Sequence, residues 1–93
     1  MNRTEIKKGM KVWVIGSNYK CYELEVDAIV GNEVKAGQGW FDFDELYPSE
    51  QAALQAVIDD ANEFMAEGIW FKKSQDIKKQ AELRLEALNE TKP

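Results

Sequence analysis

From residue 22 to residue 30, apolar and acidic positions alternate. Tyr22, Leu24, Val26, Ala28 and Val30 fall on one side, and Glu23, Glu25 and Asp27 on the other. A period of two places successive side chains on opposite faces, so this segment predicts a half-buried antiparallel strand. Upstream, Met10-Lys11-Val12-Trp13-Val14-Ile15 is rich in β-branched and aromatic residues and predicts another strand, closed by a turn at Gly16-Ser17-Asn18. Downstream, Gly31-Asn32 is a two-residue hairpin signal, because Gly accepts φ > 0 without steric cost. A short strand over 33–36 follows, then a turn at Gly37-Gln38-Gly39 and a last strand over 40–43. In that strand Phe41 and Phe43 share one face, Trp40 and Asp42 the other, and the sheet is expected to end by about Phe43.

Beyond Pro48 the period changes. Ser49 is the expected N-cap of a helix over 49–67, with Glu50 in its first turn. Leu54, Val57, Ile58, Ala61, Phe64 and Met65 recur at helical spacing and predict its buried face. Gly68 suits the stop, with Ile69 expected to pack back on Phe64. Ile69-Trp70-Phe71 reads as an apolar elbow that pins a second helix. That helix is expected from about Ser74, with Ile77, Ala81, Leu85 and Leu88 inward, Leu83 off the stripe and a frayed end from Asn89.

Strands come first and helices second, which is an α+β order. The expected fold is one domain: a curled antiparallel sheet of three or four strands over 1–48, then a helical hairpin over 49–93. The first helix is expected to cover the sheet's open apolar face and the second to dock on the first.

Lys8-Gly9-Met10-Lys11-Val12-Trp13-Val14, followed by a long strand, a Gly-containing hairpin and an aromatic strand, resembles SH3-like small barrels. Its opening is similar to the Lys-Gly-x-x-Val-x-Val start of a KOW-type module. The stretch from Phe41 to Glu50 resembles the junction of small phage and prophage proteins in which such a barrel runs into an acidic helix. The resemblance spans about residues 8–60 in pattern. It implies a barrel-plus-helix fold and either a nucleic-acid accessory role or, by analogy with anti-CRISPR and other anti-defence inhibitors of this size and charge, an inhibitor role.

The composition, 44% hydrophobic and 31% charged over 93 residues, is that of a soluble globular chain. No apolar run approaches a membrane span, and the N-terminal segment is not a signal peptide. The chain has no histidine, so it lacks the commonest general base and metal ligand. The lone Cys21 fits a reducing compartment, here the host cytoplasm, and reads as a small packing thiol. No cofactor and no enzymatic activity are expected. Asp42 with Asp44, and Asp59 with Asp60, are the pairs that an acid–base or Mg²⁺ site would use, but neither spacing is diagnostic.

Charge changes the picture most. The net charge is −5, yet residues 36–71 contain eight acids and no Lys or Arg. Both ends of the chain are basic, with Arg3, Lys7, Lys8 and Lys11 near the start and Lys72, Lys73, Lys78 and Lys79 in the last helix. An acidic block of this kind either solvates the protein or meets a basic partner. The expected partner-binding residues are Glu23, Glu25, Asp27, Trp40, Asp42, Asp44, Glu45, Asp59, Asp60 and Glu63. Carboxylates about 7 Å apart on one strand face would mimic phosphates to a nucleic-acid-binding protein. Trp40 displayed beside acids resembles an interface anchor. Two further readings stay open: a nucleic-acid surface of Arg3, Lys7, Lys8 and Lys11 with Trp13, and a homodimer in which basic ends meet the acidic block of a second copy.

Overall fold

Two loops of two residues each set the register of the sheet. The computed structural model describes residues 1–68 and 70–90. Strands β1 (Lys11–Ile15), β2 (Cys21–Val30), β3 (Glu33–Ala36) and β4 (Gly39–Asp42) form one antiparallel sheet in the order β1-β2-β3-β4. Gly31 and Gly37 each take the first loop position with φ near +60°, a conformation that costs an L side chain free energy and glycine little. Gly39 therefore joins β4 opposite Ala36 instead of belonging to the turn.

The sheet curls towards a half-barrel. Trp13 and Tyr47 exchange two backbone N–H···O=C bonds, both 2.9 Å, so the chain after β4 returns to the free edge of β1. Ile6, Val12, Val14, Val26, Val34 and Leu46 are buried together, with Met1, Leu24, Ile29, Phe41 and Phe43 half-buried around them. This α+β arrangement, a curled four-stranded sheet followed by two helices, is the expected fold class.

β2 departs from its alternation. Val26 pairs with Ala36 but Ala28 pairs with Lys35, so Asp27 is the extra residue of a β-bulge. A bulge flips every later side chain to the other face. Ile29, opposite Val34, joins the core, and Val30 is 61% exposed, the reverse of the strict alternation. Tyr22 is also exposed; its ring edge lies over Gly16 and its hydroxyl meets the Asn18 side chain.

Two short 3-10 turns, Arg3–Glu5 and Phe43–Glu45, repeat one design. In each a polar residue (Asn2 or Asp42) leads, and the Glu three residues later accepts its backbone N–H, at 3.1 and 3.0 Å. The residue that follows, Ile6 or Leu46, is extended and buried. The Met1 nitrogen donates to the carbonyls of Phe43 and Leu46, at 2.8 and 3.0 Å, which joins the two turns.

The chain divides into two compact units, Met1–Ala53 and the residues from Leu54 onward. Helix α1 (Glu50–Ala66) starts in the first and continues in the second. Its cap is Ser49, whose Oγ accepts the Ala52 N–H at 3.1 Å. Ala53, Leu54, Val57, Ile58 and Ala61 are buried, while Phe64 and Met65 are only half-buried. Gly68, at φ +75°, follows its last turn. The contact expected from Ile69 lies outside the described residues, as does the end beyond Glu90.

Helix α2 (Phe71–Glu90) begins three residues before the expected Ser74 and stays helical through Asn89 and Glu90. Ser74 is buried inside it, seven residues from the buried Ala81, and the half-buried Leu88 lies seven further on. Small side chains at that spacing let a helix approach its neighbour closely. The expected pinning elbow is not formed by its aromatic members. Trp70 is 64% and Phe71 53% exposed, and Trp70 holds φ +46° with the Lys73 ammonium 5.3 Å from its ring centre.

Candidate functional site

The register places three rows of side chains across β2, β3 and β4. The middle row, Ile29, Val34 and Phe41, faces the core. The rows on either side, Val30–Glu33–Asp42 and Ala28–Lys35–Trp40, therefore face outward. Trp40 is 52% exposed there. Val30, on β2, and Trp40, on β4, stand at opposite corners of these two rows, with Glu33 and Lys35 of β3 between them. Two carboxylates, Glu33 and Asp42, are directly opposite one another, and Asp42 lies two residues along β4 from Trp40. Like charges in that position destabilise the pair they belong to. Lys35 lies opposite Trp40 within the same face.

One of the other strand acids is already paired. Glu23 and Glu25 lie across β1 from Trp13 and Lys11. The Lys11 ammonium reaches Glu23 at 3.7 Å, with both side chains largely exposed, so part of the negative charge is met within the sheet. Such a pair adds little stability but removes a free carboxylate from the array. Asp27, at the bulge, is exposed like Glu23 and Glu25.

Asp42 and Glu45 have structural work as the capping pair of the second 3-10 turn, and Asp44 between them is exposed. Asp59, Asp60 and Glu63 are exposed on α1 in the second unit, where Asp59 accepts a hydrogen bond from Gln55 at 3.1 Å. The ten expected residues therefore fall in both units. Those brought together within one unit and beside an exposed aromatic are Trp40, Asp42 and their neighbours. Sequence reasoning missed Glu33, Val30 and Lys35. The signal for Glu33 was present, since a two-residue loop at Gly37-Gln38 counts back to Glu33 opposite Asp42.

Among the described residues, no three of His, Cys, Asp and Glu come together as metal ligands would. No helix among them is long and apolar enough to cross a membrane. The Cys21 thiol is pushed above its ordinary pKa, first by burial and then by the Glu50 carboxylate, and both effects disfavour a reactive thiolate. The chain matches no family model, no curated protein and no solved structure.

Proposed function

We propose that this chain is a non-enzymatic acidic module that binds a basic protein surface through the outer sheet face around Trp40. The observation that carries the reading is the exposed Trp40 on the same outer sheet face as the opposed carboxylates Glu33 and Asp42. Buried aromatic anchors dominate interface energetics, and a surrounding acidic rim speeds encounter with a positively charged partner. In its sharpest form the module is a phage-type, anti-CRISPR-like inhibitor. It would occupy a basic surface that a host nucleic-acid-processing or defence protein uses for phosphate. The cytoplasm of the host cell is where such a partner resides.

The test is retention of host-lysate proteins on three immobilised baits: wild type, Trp40→Ala, and Glu33→Lys with Asp44→Lys. A protein held by the wild type at low salt, released at physiological salt and lost from both variants is the expected result. Equal retention by all three baits, or retention of labelled DNA or RNA instead of protein, rejects the reading.

A further inference from the structure

The two edges of the sheet are finished differently. At β1, Tyr47 takes both the outward N–H and the outward C=O of Trp13. At β4 the direction of each backbone group follows from the loops. Two-residue loops close on hydrogen-bonded pairs, here Val30 with Glu33 and Ala36 with Gly39. Bonding alternates along an antiparallel strand, so Lys35 turns its backbone groups to Ala28 on β2. Trp40, opposite Lys35, therefore turns its own away from the sheet. Asp42 is in phase with Trp40, and its N–H goes to Glu45 Oε1 at 3.0 Å instead of to β3. Among the described residues, none bonds the outward N–H and C=O of Trp40.

The side chains along this edge are equally open. The core-facing row Ile29–Val34–Phe41 runs from the fully buried Val34 to a Phe41 that is only half-buried at the rim. On the outer face Trp40 is exposed, with the exposed Asp42 two residues along. Sheet edges are commonly blunted by Lys, Pro or a bulge. Gly39–Asp42 has no Lys or Pro and pairs with β3 without a register shift.

We infer that β4 accepts an extended Lys/Arg-bearing segment of the basic partner as an added antiparallel strand, bonded to the N–H and C=O of Trp40. The inference rests on Trp40 as the binding face and adds the form of the partner. The register is fixed at Trp40, because Glu45 already closes the next outward position. Side chains of the added strand alternate between faces. Apolar ones continue the core row beyond Phe41. Those on the outer face lie beside the indole and Asp42, where a Lys or Arg meets a π-face and a carboxylate. Charge selects the sign of that strand, since residues 36–71 hold eight acids and no base. Main-chain bonds supply the pairing and the alternate side chains the specificity.

The probe is a synthetic peptide of about eight residues alternating Val and Lys, with a Val/Glu peptide as control. Two further Val/Lys peptides are N-methylated, one at every Lys and one at every Val. With Lys on the outer face, the Lys N–H groups point at β4 and the Val N–H groups point away. The full chain is titrated with each while peptide anisotropy and amide hydrogen exchange are followed. The expected result is slowed exchange at Trp40 but not at Asp42 with the Val/Lys peptide. Methylation at Lys weakens binding at least about tenfold, and methylation at Val leaves it nearly unchanged. Asp42→Asn with Asp44→Asn weakens it several-fold, while Asp59→Asn with Asp60→Asn, which removes the same charge from α1, does not. Equal binding of the two methylated peptides, or the reverse order, overturns the added strand; if Trp40→Ala still weakens binding, Trp40 remains the binding face. Binding that Trp40→Ala leaves intact removes both. Equal binding of the Val/Glu peptide, or no binding of the Val/Lys peptide, overturns the proposal as well. So does a dimer of the free chain that already protects the Trp40 amide, because the added strand would then be β4 of a second copy.

Discussion

Glu33 and Asp42 face each other across β3 and β4, two carboxylates in directly opposite positions on an exposed sheet face. The sheet forms despite them. Val34, 0% exposed, and Phe41 occupy the next row on the core side, and the Gly37 loop holds the register. Replacing Glu33 by Lys turns repulsion into attraction and is expected to stabilise the fold by about 0.5 kcal/mol. The same variant is expected to weaken binding to a basic partner. Urea unfolding and a binding assay on one protein read both signs. A Glu33→Lys chain less stable than the parent would remove the electrostatic account of this pair.

Trp40 and the residues around it make the second prediction. Trp40→Ala is expected to change stability by less than about 1 kcal/mol, since the indole stands half out of the structure. Its effect on partner binding is expected to be at least about 2 kcal/mol, roughly thirtyfold, as for a central interface anchor. A large loss of thermal stability with binding intact would make Trp40 a packing residue.

The bulge at Asp27 supplies the third. Ile29→Ala is expected to cost about 2 kcal/mol because its side chain packs on the core. Val30→Ala, one residue on, is expected to lie within about 0.5 kcal/mol of the parent. Strict alternation along β2 predicts the opposite order, so the pair of denaturation midpoints decides between a bulged and a regular strand.

That strand also shows where the sequence stops being informative. Strands, loops and the first helix are legible because each has one dominant local cause: β-branched alternation, a leading glycine, or Ser49 ahead of a helical stripe. Ala28-Ile29-Val30 is apolar at three successive positions, so either register buries a hydrophobe and the period alone cannot choose. Ser74 misleads for a related reason. It is a good cap by chemistry, yet it is buried seven residues from Ala81, and tight packing decides its role. Trp70 and Phe71 look like core material by residue type, but both are exposed, Trp70 in a bend with a positive φ and Phe71 at the start of α2. The acidic block of residues 36–71 was plain in the sequence. Its division between capping (Asp42, Glu45), a helix surface (Asp59, Asp60, Glu63) and a sheet face depended on long-range pairing.

The two loop glycines separate backbone strain from crowding. Both Gly31 and Gly37 hold φ near +60°, so alanine at either is expected to cost about 1 kcal/mol. A Cβ on Gly31 meets nothing within 4 Å, whereas one on Gly37 comes 3.1 Å from a Leu24 methyl carbon. Gly37→Ala is therefore expected to be the worse of the two. Equal losses in a thermal melt would mean that Leu24 yields freely.

The last prediction concerns Cys21, at the start of β2. Burial raises its pKa first, and the Glu50 carboxylate at the start of α1 raises it further. The folded chain thus keeps a thiol proton that the unfolded chain gives up near the ordinary cysteine value, about 8.5. The stability linked to this group is fully present below that value and is lost as pH rises from there through the folded pKa. The difference in urea midpoint between wild type and Cys21→Ser should therefore shift against the wild type on going from about pH 8 to about pH 10. Iodoacetamide should alkylate native Cys21 several-fold more slowly than the same thiol in urea at about pH 8. Glu50→Gln removes the smaller of the two causes, so it should restore part of that rate and leave the contribution of burial in place. Equal alkylation of native and unfolded chains at that pH would show that neither burial nor Glu50 restrains the thiolate.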